Sequence, residues 1–291
     1  MPSFLDPQHL HALWMSTLRL LAWLLLLSLI FLPLERLLAI RSQRFTRKAI
    51  ARDLTYYFVN GLVPGLLLGI PLTFVAYAAH AIVPHDFQLA IAGWPLWQRV
   101  LIGFVIGEIG FYWGHRWAHE VPFLWRFHSI HHSAEHVYFL TSARAHPIDN
   151  AFIRLCGLVP ACFLGVANPL TPGGSLVPTL VVLVATIWGF FIHANCRLRL
   201  GPLEQLLSTP AFHHWHHTLG EPRNVNYASM LPVMDRLFGT YHLPKADWPT
   251  AYGIDDRLPE SFGGQMMYPL APRTTAAASV PVSGSAVSGP K

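Results

Sequence analysis

Residues 115–132 read HRWAHEVPFLWRFHSIHH, and residues 213–217 read HHWHH. Twelve of the chain's 17 histidines lie between His115 and His217. His115 and His119 are four apart, His128, His131 and His132 fall at i, i+3 and i+4, and His213, His216 and His217 repeat that pattern. On an α-helix these spacings place side chains on one face. Neutral imidazole is also the commonest protein ligand for transition metals. Each cluster is therefore expected to present two or three ring nitrogens to a common point. A single tetrahedral ion takes about four ligands, so two metals are the simpler reading.

Single histidines extend the set. His193, in FFIHANCR, ends an apolar run where no polar residue is needed. An ionisable group at membrane depth marks function, so His193 is a candidate ligand. His146, in ARAHPID, lies close to the second cluster and is a further, weaker candidate. His136 and His214 are expected to support ligands or face solvent. Metal-bound imidazoles usually donate their second N–H to a carboxylate or carbonyl, and Glu120, Glu135, Asp149 and Asn195 are placed to accept it. Acidic residues are scarce around the clusters, which argues against a carboxylate-bridged site. HExxH is absent, which removes the simplest zinc-protease reading.

Composition places this constellation in a membrane. Of 291 residues, 53% are hydrophobic and only 12% charged, whereas soluble domains carry roughly 25% charged residues. Five apolar runs follow one another: 13–34, 54–83, 96–113, 151–167 and 176–194. The first is long enough to span and lacks a cleavage-site pattern, so it is read as an uncleaved helix. The basic stretch from Arg36 to Arg52, with Arg197 and Arg199, sets the cytoplasmic side. Five crossings would then put every clustered histidine in the cytoplasm. The expected fold is an all-α polytopic membrane helical bundle of about four or five segments beneath a cytoplasmic, histidine-rich helical cap. A re-entrant hairpin is compatible with the same runs. Three regions are expected: 1–53, an N-terminal membrane helix and basic loop; 54–248, the membrane-embedded catalytic domain; and 249–291, a largely disordered tail. GxxxG at Gly103 and Gly107 fits close helix packing. Cys156, Cys162 and Cys196 form no CxxC pair and are read as buried hydrophobes. No nucleic-acid partner is expected, because the basic residues form no long exposed face.

In order and spacing, HRWAH, HSIHH, ARAHP, HAN, FHHWHH and NYASMLPVMDRLFGTY resemble the fatty acid hydroxylase superfamily, also called the sterol desaturase family. The similarity covers roughly residues 50 to 245. The resemblance implies an integral membrane oxygenase with a histidine-rich dimetal centre under a cytoplasmic cap, which hydroxylates or desaturates lipids with O2. It implies two iron ions, although imidazole ligation suits zinc as well. Carried over by position, His115 and His119 match the first box, His128, His131 and His132 the second, and His213, His216 and His217 the last. His193 matches a ligand at the end of the preceding helix. Some members carry a further histidine four residues later, where this chain has Arg197.

The expected activity is therefore O2-dependent hydroxylation or desaturation of a fatty acyl, sterol or related apolar chain drawn from the membrane. No flavin, nicotinamide or haem-binding motif is present, so electrons are expected from a separate ferredoxin or cytochrome b5-like donor. The rivals are a histidine-rich membrane metal transporter and a non-catalytic zinc-binding membrane protein. A transporter would set its ligands near the midplane on discontinuous helices, whereas these histidines fall at helix ends and in polar segments.

Overall fold

Long leucine-rich segments broken by proline and polar caps dictate helices, and in the computed structural model, which describes residues 6–271, the chain forms no strand. Helix α1 (Pro7–Leu37) starts where the Asp6 carboxylate accepts the Gln8 N–H at 2.9 Å. Leu25 and Leu29 on α1 are more than 60% exposed, while Leu27 and Phe31 are buried. An apolar helix with so little of its surface buried is built to face lipid. Helices α2 (Arg47–Leu62) and α3 (Pro64–Ile82) continue each other, with Thr46 capping the first. Helix α4 (His85–Ala92) meets α5 (Leu96–Glu120) at 111°. Then follow α6 (Pro122–His132), α7 (Pro147–Phe163), α8 (Leu176–His193), α9 (Pro210–His216), α10 (Val233–Leu237) and α11 (Phe262–Met267).

Among the described residues, α1, the α2–α3 pair and α8 are each long and apolar enough to cross a membrane, and the bent α4–α5 pair makes a fourth candidate. Four is the lower end of the four or five segments expected, and the bent pair matches the broken or re-entrant geometry that the apolar runs allowed. The run at 151–167 folds as α7, a helix of 17 residues interrupted by Pro160. It packs on α5 and α3. All-helical architecture and a multi-span membrane protein are thus what the chain forms.

Glycine sets how closely α5 and α7 approach. A Cβ at Gly110 would lie 2.3 Å from the Cys156 carbonyl oxygen and 2.4 Å from the Gly157 Cα. The two helix backbones therefore touch, as small residues permit within a membrane. Away from the histidines, the buried Arg99 guanidinium donates to the carbonyls of Ala92, Val166 and Pro172, tying the α4–α5 turn to the α7–α8 loop.

At the opposite end, Glu35 at the base of α1 accepts the backbone N–H groups of Phe139 and Asn195 at 2.8 and 2.9 Å. Asp53 on α2 pairs with Arg144 at 3.2 Å and accepts the Tyr138 hydroxyl at 2.8 Å. Several basic residues read as a topology signal are held by the cap. Arg41 donates to the carbonyls of Pro249 and Thr250, and Arg52 to that of Glu260. The segment 249–271, expected within a largely disordered tail, packs down. Its Gln265 is buried on α11 and accepts the Tyr56 hydroxyl at 2.7 Å. Apolar Phe262 and the polar anchor Gln265 explain the difference. Phe262 lies edge-on to Tyr56, with ring centroids 5.0 Å apart. Residues 272–291, the polar Pro/Gly-rich part, lie outside the described residues.

Gly110→Val forces the α5 and α7 backbones apart. Overpacking of this kind costs about 1–3 kcal/mol, so the variant is expected to melt several degrees below wild type in detergent. Gly69→Ala on α3, where a Cβ meets nothing within 4 Å, is expected to melt with wild type.

Candidate metal centre

Nine histidines from four helical segments, α5, α6, α8 and α9 with its C-cap, converge in two groups. The first holds His115, His119, His128, His132 and His216, and the second holds His131, His193, His213 and His217, with the ligand atoms of each group within 4.8 Å of one another. All nine sequence-predicted cluster and helix-end residues are brought together. His146 is not among them. It caps α7, where its Nδ1 accepts the Ile148 N–H, and its Nε2 faces the Met266 carbonyl at 3.3 Å.

The clusters in sequence are not the groups in space. His128 and His132 point into the first group, whereas His131 points into the second. On α9 and its C-cap, His213 and His217 join the second group and His216 the first. The expectation of one common point per cluster is corrected here, for a geometric reason. Residues i and i+4 are offset by about 40° around a helix, but neighbours are offset by about 100°. Helices α6 and α9 lie between the two groups and serve both. His132 and His217, from different groups, stack with centroids 4.5 Å apart.

The outer ring nitrogens fix the protons. His115 Nδ1 lies 2.7 Å from the Tyr227 carbonyl, His131 Nδ1 2.9 Å from that of Arg144, His193 Nδ1 2.6 Å from that of Gly189, and His216 Nδ1 2.8 Å from that of Val225. His128 Nδ1 lies 2.9 Å from the Asp149 carboxylate. Carbonyl and carboxylate oxygens only accept, so each of these Nδ1 atoms carries a proton and Nε2 is the nitrogen that each ring turns inward. Yet Nε2 of His115 lies 3.1 Å from Nε2 of His128. In the second group, His193 Nε2 lies 3.3 Å from that of His131, 2.9 Å from that of His213 and 3.3 Å from that of His217. Lone pairs at this separation repel unless a cation lies between them. Four nitrogens about 2.0–2.1 Å from a tetrahedral ion would be separated by roughly 3.3 Å, close to these distances. In the first group, Nε2 of His119, His132 and His216 is buried with no hydrogen-bond partner. Buried polar atoms rarely remain unpaired, so the donor set fits metal ions at both places.

Burial reinforces neutrality. Desolvation, with the neighbouring His128 second, pulls the His131 imidazole down to about 3. Desolvation and the crowding of other imidazoles hold His132, His213, His216 and His217 well below the ordinary histidine value. Trp125 closes one wall, its ring 5.2 Å from that of His119 and 5.7 Å from that of His132.

Of the acceptors suggested by sequence, Asp149 holds His128, but Glu120 pairs with Arg116 on its own helix and Asn195 donates to the Arg41 carbonyl. His214 is fully buried rather than solvent-facing. It meets the Tyr252 hydroxyl at 2.6 Å and the Ala194 carbonyl at 3.1 Å. Arg197 donates to the Ile40 carbonyl, and the second group is made of its four histidines. Sequence reasoning missed the backbone carbonyls, which leave no sequence signal. It also missed Tyr227, whose ring lies 5.1 Å from that of His119 and whose buried hydroxyl has no partner.

The family model described as Fatty acid hydroxylase matches residues 100–240. Ornithine lipid hydroxylase OlsE of Rhizobium tropici is 37% identical over 179 residues, 61% of this chain and 52% of that protein. Alkylglycerol monooxygenase of Danio rerio is 30% identical over 202 residues, 68% of this chain and 43% of that protein. Methylsterol monooxygenase 2-2 of Arabidopsis thaliana is 27% identical over 198 residues, 66% of this chain and 68% of that protein. The chain spans about half the length of the first two of these relatives. No solved structure matches it.

Two outcomes are expected. Asp149→Ala removes the acceptor that orients His128 and weakens metal affinity about 10- to 100-fold, read by competition with a chromogenic chelator. Metal-free protein loses stability as pH falls below about 6.5. The unfolded chain then takes up protons that the buried imidazoles refuse, and each such histidine contributes a slope of up to about 1.4 kcal/mol per pH unit. Thermal melts of chelator-treated protein between pH 8 and pH 5 check this, and a flat profile overturns it.

Proposed function

Because this chain belongs to the fatty acid hydroxylase family, we propose that it is an O2-dependent membrane lipid hydroxylase whose two histidine groups each hold an iron ion. The observation that carries this reading is the inward convergence of neutral Nε2 lone pairs, locked by outward Nδ1–H bonds. The proposed ligands are His115, His119, His128, His132 and His216 for one ion, and His131, His193, His213 and His217 for the other. Iron bound there supplies the O2-dependent oxidation of an unactivated C–H bond, which no side chain can perform.

The chain's own residues do the rest. The carbonyls of Tyr227, Arg144, Gly189 and Val225 hold the proton on Nδ1, so that Nε2 stays free. Trp125 keeps water from the rings of His119 and His132. Helices α5 and α8 bring His115, His119 and His193 to the ends of candidate spans, where a lipid chain can reach them from the bilayer. The relatives named above are a hydroxylase and two monooxygenases, which supports oxygen insertion over desaturation. The reading includes a cytoplasmic histidine site, from the positive bias of Arg36–Arg52, and a separate ferredoxin or cytochrome b5-like donor. It takes 54–248 as the catalytic region. The transporter alternative is not favoured, since both groups sit at helix ends and in the cap.

Purified protein is expected to bind about two irons per chain after anaerobic reconstitution, and His131→Ala and His132→Ala each to lose metal from a different group. With 18O2, a reducing system and membrane lipid, wild type yields 18O-labelled lipid and both variants fall to background. Undiminished turnover in either variant, or no iron bound by wild type, overturns the reading.

A further inference from the structure

A cavity runs between α5, α7 and α8, and its wall is apolar except near one end. Phe111 belongs to this wall, and its ring lies edge-on to that of His115 with centroids 5.2 Å apart. Phe111 thus touches the cavity on one side and a ring of the first histidine group on the other. Two charged residues line the same space: Glu108 from α5 and Arg154 from α7.

Their circumstances differ. The Glu108 carboxylate accepts the backbone N–H groups of Met230 and Leu231 at 2.8 and 3.0 Å, so it is satisfied. The partly buried Arg154 guanidinium has no hydrogen-bond acceptor and no carboxylate within ion-pair distance among the described residues. The other deeply placed arginines are tied down. Arg99 donates to three carbonyls, and Arg144 to Asp53, to the Ser133 hydroxyl and to the Ile130 carbonyl. A guanidinium left bare in an apolar cavity between membrane helices is costly, and such a charge marks a substrate path. Its planar fork of N–H donors matches a carboxylate or a phosphate.

We propose that Arg154 receives the anionic head of the lipid substrate, a carboxylate or a phosphate, while the chain lies along the apolar wall formed by Phe104, Leu158 and Val181. This rests on the lipid-oxygenase reading and adds a consequence to it. The head group is anchored at the level of Phe111, so the carbons offered to the histidines are those near the head. The step is binding alone, with no bond made or broken.

The test uses full-length, metal-free protein in neutral detergent at pH 8, with radiolabelled hexadecanoate, hexadecyl phosphate and hexadecanol in equilibrium dialysis. Wild type is expected to bind at least one anion about tenfold or more tightly than the alcohol, as a charge-assisted pair predicts. Whichever anion is preferred identifies the head group. Arg154→Gln is expected to bring the preference below about threefold and Arg154→Lys to retain most of it. Equal binding of alcohol and anions by wild type overturns the proposal without relying on any variant, and so does an undiminished preference in Arg154→Gln. Iron is absent throughout, so a failure here leaves the metal reading standing, and a failure of iron loading leaves this result intact.

Discussion

Everything at the centre of this protein depends on imidazole rings held neutral with their lone pairs facing inward. Four backbone carbonyls and one carboxylate accept the outer N–H groups. Those acceptors are themselves held. Asp235, just after the start of α10, accepts the N–H groups of Tyr227 and Ala228 and the Thr240 hydroxyl, which fixes the turn that offers the Tyr227 carbonyl to His115. Asp53 anchors Arg144, whose carbonyl holds His131. Five of the nine rings, those of His115, His128, His131, His193 and His216, cannot turn without breaking a buried hydrogen bond.

The bundle serves this shell by bringing helix ends to one level. Contact between α5 and α7 at Gly110 and Gly157 brings Asp149, on the first turn of α7, within reach of His128 beyond the end of α5. Helix α8 ends at His193, and the chain then turns so that the Ala194 carbonyl meets His214. The lipid-facing leucines of α1 contribute nothing to the metal shell directly. Glu35 near the end of that helix nevertheless gathers two segments of the cap.

Much of this was legible in the sequence. Low charge and long apolar runs indicate a helical membrane protein, and histidines three and four apart on helices name the residues that converge. What spacing cannot supply is the partition. HSIHH reads as one cluster, and only the orientation of α6 between two groups assigns His131 to one and His132 to the other. The carbonyl acceptors are equally silent, since any residue type offers one. Apolar runs do not by themselves give the length of the helix they form: the run at 151–167 becomes α7, which has 17 residues and packs on α5 and α3. His146 lay near the second cluster in sequence, but the N-terminus of α7 uses its nitrogen as a cap.

The partition ties the two centres to each other. Helix α6 carries nitrogens for both groups, so any roll of that rod withdraws a ligand from one centre as it advances on the other. Helix α9 imposes the same linkage from the facing side through His216 and His217. The two groups are therefore geometrically linked: a displacement at one is carried to the other through the same two helices.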